Sequence, residues 1–121
     1  MKYVLMFCDT PELYGEVDPE DAKATYEAVF AWFGEQQAAG RIAEGGAELQ
    51  PVTTATTVKS GNDGPVVVDG PFSEAKEVVG GFTVVEVADL DEALAMARTW
   101  PPLKWPGVSV EVRPIVDHSQ G

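Results

Sequence analysis

The side chains best suited to chemistry lie in one short stretch between two apolar segments of the 121-residue chain. Asp69 ends the first apolar segment and precedes a Gly-Pro turn, and Lys76 and Glu77 follow shortly after. A carboxylate in this position can act as a general base or anchor a ligand, or it can accept backbone N–H bonds within its own turn. We take Asp69 as the candidate catalytic residue and leave both interpretations open.

Lys76 and Glu77 are predicted ligand-binding residues on the rim of a cleft. A partly desolvated Lys76, paired with Asp69 or Glu77, would hold an anionic group of a small molecule. The alternative is a surface ion pair worth under about 1 kcal/mol. Ser73 precedes Lys76 at a spacing that favours the same side of a helical turn. Because such Ser–Lys spacings are common by chance, we assign Ser73 no nucleophilic role.

Arg113 is the third predicted ligand-binding residue. It alternates with the valines of segment 108–112, in phase with Ser109 and Glu111. In this phase Arg113 would hold a carboxylate bidentately in a cleft, or form a salt bridge with Glu111 or with an acid of a partner chain.

The single cysteine and the three tryptophans are better explained by packing than by chemistry. Cys8 has no histidine near it in sequence, which is more typical of a buried apolar residue than of a nucleophile. Trp32, Trp100 and Trp105 are explained by packing or dimer contacts rather than by a ligand cage. No group of histidines or carboxylates has the spacing of metal ligands, so we predict neither a metal nor a cofactor.

The charge balance limits the partners. Twenty Asp and Glu stand against eight Lys and Arg, for a net charge of -12. Such a surface repels phosphate backbones and anionic lipids, so neither nucleic acid nor a membrane is predicted as a partner. The apolar N-terminal run, residues 2–8, is too short for a signal peptide or a membrane span, and we predict a cytoplasmic location.

The elements that would position these residues are predicted in the order strand, helix, strand, hairpin, strand, helix, strand. The first helix begins at Asp18-Pro19-Glu20-Asp21 and ends at Gly40. Its apolar residues recur at helical spacing and are predicted to face the core: Ala22, Tyr26, Val29, Phe30 and Phe33. A second helix begins at 89–92, with Leu90, Leu94 and Ala97 predicted to face inward, and the strands are predicted at 2–8, 41–49, 54–59, 66–69, 81–88 and 108–113.

Right-handed crossovers turn this order into an α+β, ferredoxin-like sandwich with its helices on one face of the sheet. The chain is predicted to form a single domain over residues 1–116, with a polar tail at 117–121. The first and fifth strands are apolar in both phases, so the face away from the helices must be covered. A second copy that stacks sheet on sheet is the simplest cover, and we predict a homodimer.

The stretch Asp69-Gly70-Pro71-Phe72-Ser73-Glu74-Ala75-Lys76-Glu77, followed by Gly80-Gly81-Phe82, resembles the motif of YCII-related, DGPF-type proteins. The resemblance covers nearly the whole chain and implies a dimeric α+β barrel, with two sheets around a cleft. Most members of the family have no assigned activity. Some relatives are small-molecule enzymes, including dehalogenating ones that use a His and an Asp, and others are linked to extracytoplasmic sigma factors.

One departure from the enzymatic relatives concerns histidine. They place a histidine near the end of the first strand or on the first helix, whereas the sole histidine here, His118, lies in the tail. We therefore predict a small dimeric protein that binds a polar or anionic molecule near Asp69, Lys76, Glu77 and Arg113, with cofactor-free acid–base chemistry if it turns over a substrate. The alternative is a non-catalytic regulator or partner protein in a sigma-factor pathway.

Overall fold

The computed structural model describes residues 1–71 and 77–120. The strands are β1 (Lys2–Asp9), β2 (Ile42–Glu48), β3 (Thr56–Gly61), β4 (Gly64–Asp69), β5 (Val78–Glu86) and β6 (Ser109–Pro114). The helices are α1 (Leu13–Glu16), α2 (Pro19–Ala38) and α3 (Leu90–Arg98), with short 3-10 turns at Val52–Thr54, Pro101–Lys104 and His118–Gln120. Within these described ranges, no helix is both long and apolar enough to cross a membrane.

Four strands form one antiparallel sheet in the order β2-β5-β1-β6. With α2 between β1 and β2 and α3 between β5 and β6, this order is that of a ferredoxin-like fold, which confirms the predicted α+β class.

The β3–β4 hairpin, which lies between β2 and β5 along the chain, forms a separate two-stranded sheet. Its turn has two residues, Asn62 and Asp63, because Gly61 pairs with Gly64. Gly64 has φ 117°, a conformation that side chains rarely adopt. Val58 and Val67, paired across the hairpin, are 65% and 70% exposed.

Both long helices begin at side-chain caps. The Asp18 carboxylate accepts the backbone N–H of Asp21 at 3.2 Å, and Pro19 occupies the first turn of α2. Asp89 accepts the N–H of Glu92 at 2.9 Å. These bonds satisfy N–H groups that have no partner within the helix, which is why both starts could be predicted from sequence.

Aromatic packing joins the sheet to the helices. Tyr3, Leu5 and Phe7 alternate along β1 toward the helical side and are buried. The Phe7 ring stacks on Trp100, after α3, with centroids 3.8 Å apart and planes at 15°. Trp32 of α2 meets both rings edge-on, with centroids 6.1 and 5.1 Å away. We name this group, with Phe33, the aromatic cluster; it confirms the packing role predicted for Trp32 and Trp100.

The predicted inward faces of the two helices are partly wrong. Tyr26 and Phe30 of α2 are 48% and 64% exposed, whereas Val29 and Phe33 pack against the core. In α3 the buried residues are Ala93, Met96 and Ala97, and Leu90 is 46% exposed. The α2 residues are exposed because their stripe lines a cavity, described below.

The sheet face opposite the helices is apolar at its centre and charged at its edge. We call this the open face. Val4, Met6 and Val84 lie there half-buried, since they alternate with the buried residues of the same strands. Lys2 forms an ion pair with Glu44 at its edge, with Nζ and Oε1 3.5 Å apart.

Asp21 ties the start of α2 to the turn after α3. Its carboxylate accepts hydrogen bonds from Lys104 Nζ at 2.6 Å and from Trp105 Nε1 at 2.8 Å. The bond from Lys104, with that from Trp105, lowers the pKa of Asp21 below its ordinary value.

We predict that Asp21→Asn lowers the Tm by a few degrees at neutral pH. A carboxylate whose pKa is lowered in the folded state stabilises the protein above its unfolded-state pKa, and this stabilisation is lost as the pH falls through the folded-state pKa. The Tm difference from wild type should therefore disappear in acid. Thermal unfolding across pH, with Asp63→Asn in the hairpin turn as the control, measures it, and an equal difference at all pH values would contradict the assignment.

Candidate functional site

A cavity of about 390 Å³ lies between α2 and the ends of β1, β2 and β5. Segment 100–108 closes another side, through Trp100, Pro102, Trp105 and Val108. The hydrogen bond between Asp21 and Trp105 holds this segment against the start of α2. The same hydrogen bond therefore positions part of the cavity wall.

The wall on the helix side is the apolar stripe of α2. Ala22, Tyr26, Val29, Phe30 and Phe33 all line the cavity. Across from them lie Phe7 and Trp100, so the aromatic cluster of the core supplies the inner end of the site. Flat, apolar walls of this kind favour a planar, largely apolar ligand.

Glycines line the strand side and let β2 approach β5 closely. A Cβ on Gly46 would lie 1.5 Å from the Phe82 carbonyl oxygen, and one on Gly81 would lie 2.9 Å from that of Ala47. The β2–β5 register shifts in this region. Any larger residue at either position would force the strands apart and change the cavity floor.

A hydrogen bond spans the cavity from helix to sheet. Tyr26 Oη on α2 donates to Glu48 Oε2 on β2 at 2.6 Å, and Phe30 packs edge-on against the Tyr26 ring with centroids 5.0 Å apart. The pKa of Tyr26 is raised because its hydroxyl group donates a hydrogen bond to Glu48, and because the charge of Glu48 disfavours the phenolate. Tyr26 thus remains a neutral donor at physiological pH.

Cys8 is one of the residues that line the cavity, and its thiol is a weak nucleophile. Burial raises the pKa of Cys8 above its ordinary value, and a hydrogen bond with Ser109 opposes the rise. The negative charges of Glu111, Glu77 and Asp9 add to it. A thiol held in this form is a poor attacking group, which agrees with the packing role predicted from sequence.

Three further polar side chains line the cavity. Asp9 is half-buried at the end of β1, and Glu48 lies at the end of β2. Thr25 of α2 is 3% exposed, and its Oγ1 has no hydrogen-bond partner among the residues that the structure describes. Two carboxylate residues and Thr25 therefore line a mostly aromatic space.

Asp69, Glu77 and Arg113, three of the four site residues predicted from sequence, are not among the residues that line this cavity. Asp69 is exposed at the end of β4, paired with Thr56 of the hairpin. Arg113 is exposed on β6 and forms its ion pair with Glu111, one of the alternatives foreseen. Glu77 lies just before β5, where its charge acts on Cys8. Lys76, like Ser73, falls outside the described residues. The roles predicted for Asp69, Lys76, Glu77 and Arg113 stay predictions.

The cavity residues that sequence reasoning missed had weak signals. Tyr26 belongs to the apolar stripe that was predicted to face the core, and Asp9 ends an apolar strand. Glu48 ends a glycine-interrupted strand and Thr25 stands between helical apolar positions, and neither pattern indicates a site. Across the described part of the chain, no three His, Cys, Asp or Glu side chains come together as metal ligands.

Comparisons with known proteins identify relatives of this fold. A family model for the YCII-related domain matches residues 1–119. An uncharacterised protein of Rhizobium meliloti (strain 1021) is 40% identical over 75 residues, which is 62% of this chain and 60% of that protein, so the match spans about three fifths of the relative's length.

A solved structure shares the fold across nearly the whole chain. It is the 5-chloro-2-hydroxyhydroquinone dehydrochlorinase from Burkholderia phenoliruptrix AC1100, in complex with 2,5-dihydroxybenzoquinone. The TM-score is 0.55 at 17% sequence identity, and the alignment covers 99% of this chain and 98% of that one. At this identity the likeness shows a common fold.

We predict that Glu48→Gln lowers the pKa of Tyr26 toward its ordinary value, because the substitution replaces the charged acceptor of the Tyr26 hydrogen bond with a neutral one and removes the charge that disfavours the phenolate. The measurement is an alkaline NMR titration of the Tyr26 ¹³Cζ resonance. Glu27→Gln, which removes an acid next to Tyr26 in sequence, is the control and should leave the titration unchanged. A Tyr26 titration that is the same in Glu48→Gln and wild type would refute the interaction.

Proposed function

The chain belongs to the YCII-related domain family, and we propose that it binds a small, ring-shaped molecule with hydroxyl groups in the cavity between α2 and the sheet. The observation that carries the proposal is an aromatic-walled space of about 390 Å³ with a few polar groups in its wall. Ligand sites in proteins are typically apolar clefts of roughly 300–1,000 Å³ with few, well-placed polar groups.

The charge of the cavity supports a neutral or cationic ligand. Asp9 and Glu48 are acidic, and none of the described lining residues is Lys, Arg or His. In a chain of net charge -12, an anion would approach two carboxylates against an unfavourable field. The proposal therefore differs from the anionic ligand expected from the sequence, because Arg113, a cationic residue of that expectation, does not line the cavity.

The fold relative supports a ring as the ligand. The Burkholderia dehydrochlorinase holds 2,5-dihydroxybenzoquinone, a flat ring with oxygen substituents. Phe7, Phe33 and Trp100 offer flat surfaces to such a ring here, and Asp9 and Glu48 offer acceptors for its hydroxyl groups.

If the bound molecule is turned over, we propose cofactor-free acid–base chemistry. Asp9 is the half-buried carboxylate of the cavity wall and would accept a proton from a bound hydroxyl group, leaving the corresponding oxyanion. The base predicted from sequence, Asp69, lies on the hairpin. The two assignments can therefore be separated by comparing the turnover rates of Asp9→Asn and Asp69→Asn, since only the substitution at the true base should abolish turnover.

We also propose a homodimer in which the open face packs against a second copy. Val4, Met6 and Val84 leave an apolar centre on that face, whereas the aromatic core lies on the other side of the sheet. Sheets that stack face to face bury such residues between them, and a two-fold arrangement does so for both copies at once.

Filling the cavity tests the ligand proposal. We predict that Ala22→Leu weakens binding of resorcinol, a neutral dihydroxylated ring, by at least about tenfold, since the larger side chain occupies ligand space (tenfold corresponds to about 1.4 kcal/mol). NMR titration measures the affinity. Ala28→Leu makes the same change at an exposed position of α2 and should bind as wild type does. Equal binding by both variants, or tighter binding of benzoate than of resorcinol, would contradict the proposal.

Placing a charge on the open face tests the dimer. We predict that Val84→Glu converts the protein to a monomer, because an unpaired carboxylate would be buried at the interface. Light scattering coupled to gel filtration measures the mass. Val116→Glu, at a valine that is 71% exposed, is the control. A monomeric wild-type protein, or a dimer that survives Val84→Glu, would rule out this interface.

A further inference from the structure

We propose that the cavity selects a ring that carries an ammonium group, and that the Glu48 carboxylate and the rings of Tyr26 and Phe30 bind this group at the mouth of the cavity. The inference rests on the proposed ligand-binding function and names the class of ligand. The proposed function allows a neutral or a cationic ring, and the side chains at the mouth favour the cationic one.

Tyr26 and Phe30 form the mouth of the cavity. Both line it, and they are 48% and 64% exposed, so this part of the wall meets solvent. Their rings pack edge-to-face, with centroids 5.0 Å apart and planes at 86°. The face of an aromatic ring carries negative charge density and attracts an ammonium group placed against it. Two perpendicular rings at an open mouth therefore offer a corner to such a group.

Glu48 places a carboxylate at the same corner. It pairs with Gly81 of β5, in the same phase as the buried Thr83, so its side chain lies on the helical face of the sheet. There Glu48 Oε2 accepts the hydrogen bond from Tyr26 Oη at 2.6 Å. Because a carboxylate can accept several hydrogen bonds, this bond orients Glu48 and leaves it able to accept others from an ammonium group.

Within the described part of the chain, no cation pairs with Glu48. The ion pairs between described residues involve four other acids: Asp21, Glu44, Glu86 and Glu111. Lys104, next to the lining residue Trp105, is already paired with Asp21 at 2.6 Å and does not line the cavity. Since Asp9 adds a second acid to the wall, an ammonium group on the ligand would act as the counterion.

The two ends of the cavity suit the two ends of such a ligand. The inner end, at Phe7 and Trp100, is apolar and flat, so it is suited to the ring. The mouth is open to solvent, so an ammonium group there would keep part of its hydration while it contacts Glu48. This arrangement avoids the large cost of burying a charge without a partner.

Tyramine and para-propylphenol test this selectivity, because both carry a phenol ring and are similar in size, but only tyramine ends in an ammonium group. NMR titrations would give both affinities for wild type and for Glu48→Gln. We expect Glu48→Gln to lower the ratio of tyramine affinity to para-propylphenol affinity by about fivefold or more, the effect of a charged contact at a partly exposed site. The affinity for para-propylphenol should stay the same.

Two further variants separate the carboxylate, the rings and the overall charge of the chain. Glu27→Gln makes the same change of charge at an exposed residue of α2 that does not line the cavity, and it should keep the wild-type ratio. Phe30→Leu keeps an apolar side chain but removes the ring, and it should lower the ratio by about twofold or more through the lost cation–π contact. An unchanged ratio in Phe30→Leu would overturn the role of that ring.

The remaining outcomes separate this inference from the proposed function. If both probes bind wild type and Glu48→Gln keeps the wild-type ratio, the ammonium site is wrong while the ligand-binding function stands. An equal fall of the ratio in Glu27→Gln would assign the preference to the net charge of the chain and would also overturn the ammonium site. If neither probe binds wild type, the ligand-binding function fails and the ammonium site fails with it.

Discussion

The stacking of Phe7 on Trp100 is the contact on which the rest of the structure depends. It joins the central strand β1 to the segment after α3, and Trp32 and Phe33 bring α2 to the same place. Trp32 is fixed in turn, because its Nε1 donates to Thr99 Oγ1 at 2.7 Å. Aromatic rings that meet at offset or perpendicular angles add to the stability given by burial alone. The same rings form the inner end of the cavity, so the core and the site share one set of contacts.

Much of the fold could be predicted from sequence because its boundaries depend on local chemistry. Asp18 and Pro19 at the start of α2, Gly40 with φ 76° after its end, and Asp89 before α3 each satisfy a backbone requirement within a few residues. The orientation of α2 could not be predicted in the same way. The periodicity that includes Phe30 shows that one face is apolar, but a core and a ligand cavity produce the same pattern.

The candidate site was harder to predict because its residues are far apart in the chain. The Asp-Gly-Pro-Phe motif groups charged residues by sequence, and it identified the family correctly. The cavity is instead assembled by folding, from Asp9 on β1, Thr25 on α2 and Glu48 on β2. Because these residues are distant in sequence, no local pattern brings them together.

The β3–β4 hairpin has a consequence for how this protein can vary. Its two strands pair with each other, from Thr56 opposite Asp69 to Gly61 opposite Gly64, and neither belongs to the four-stranded sheet. Residues added or removed near Asn62 therefore change the reach of the hairpin without shifting the register of β5 against β1. We therefore expect a longer hairpin, a shorter one or an inserted peptide at its turn to leave the four-stranded sheet unchanged.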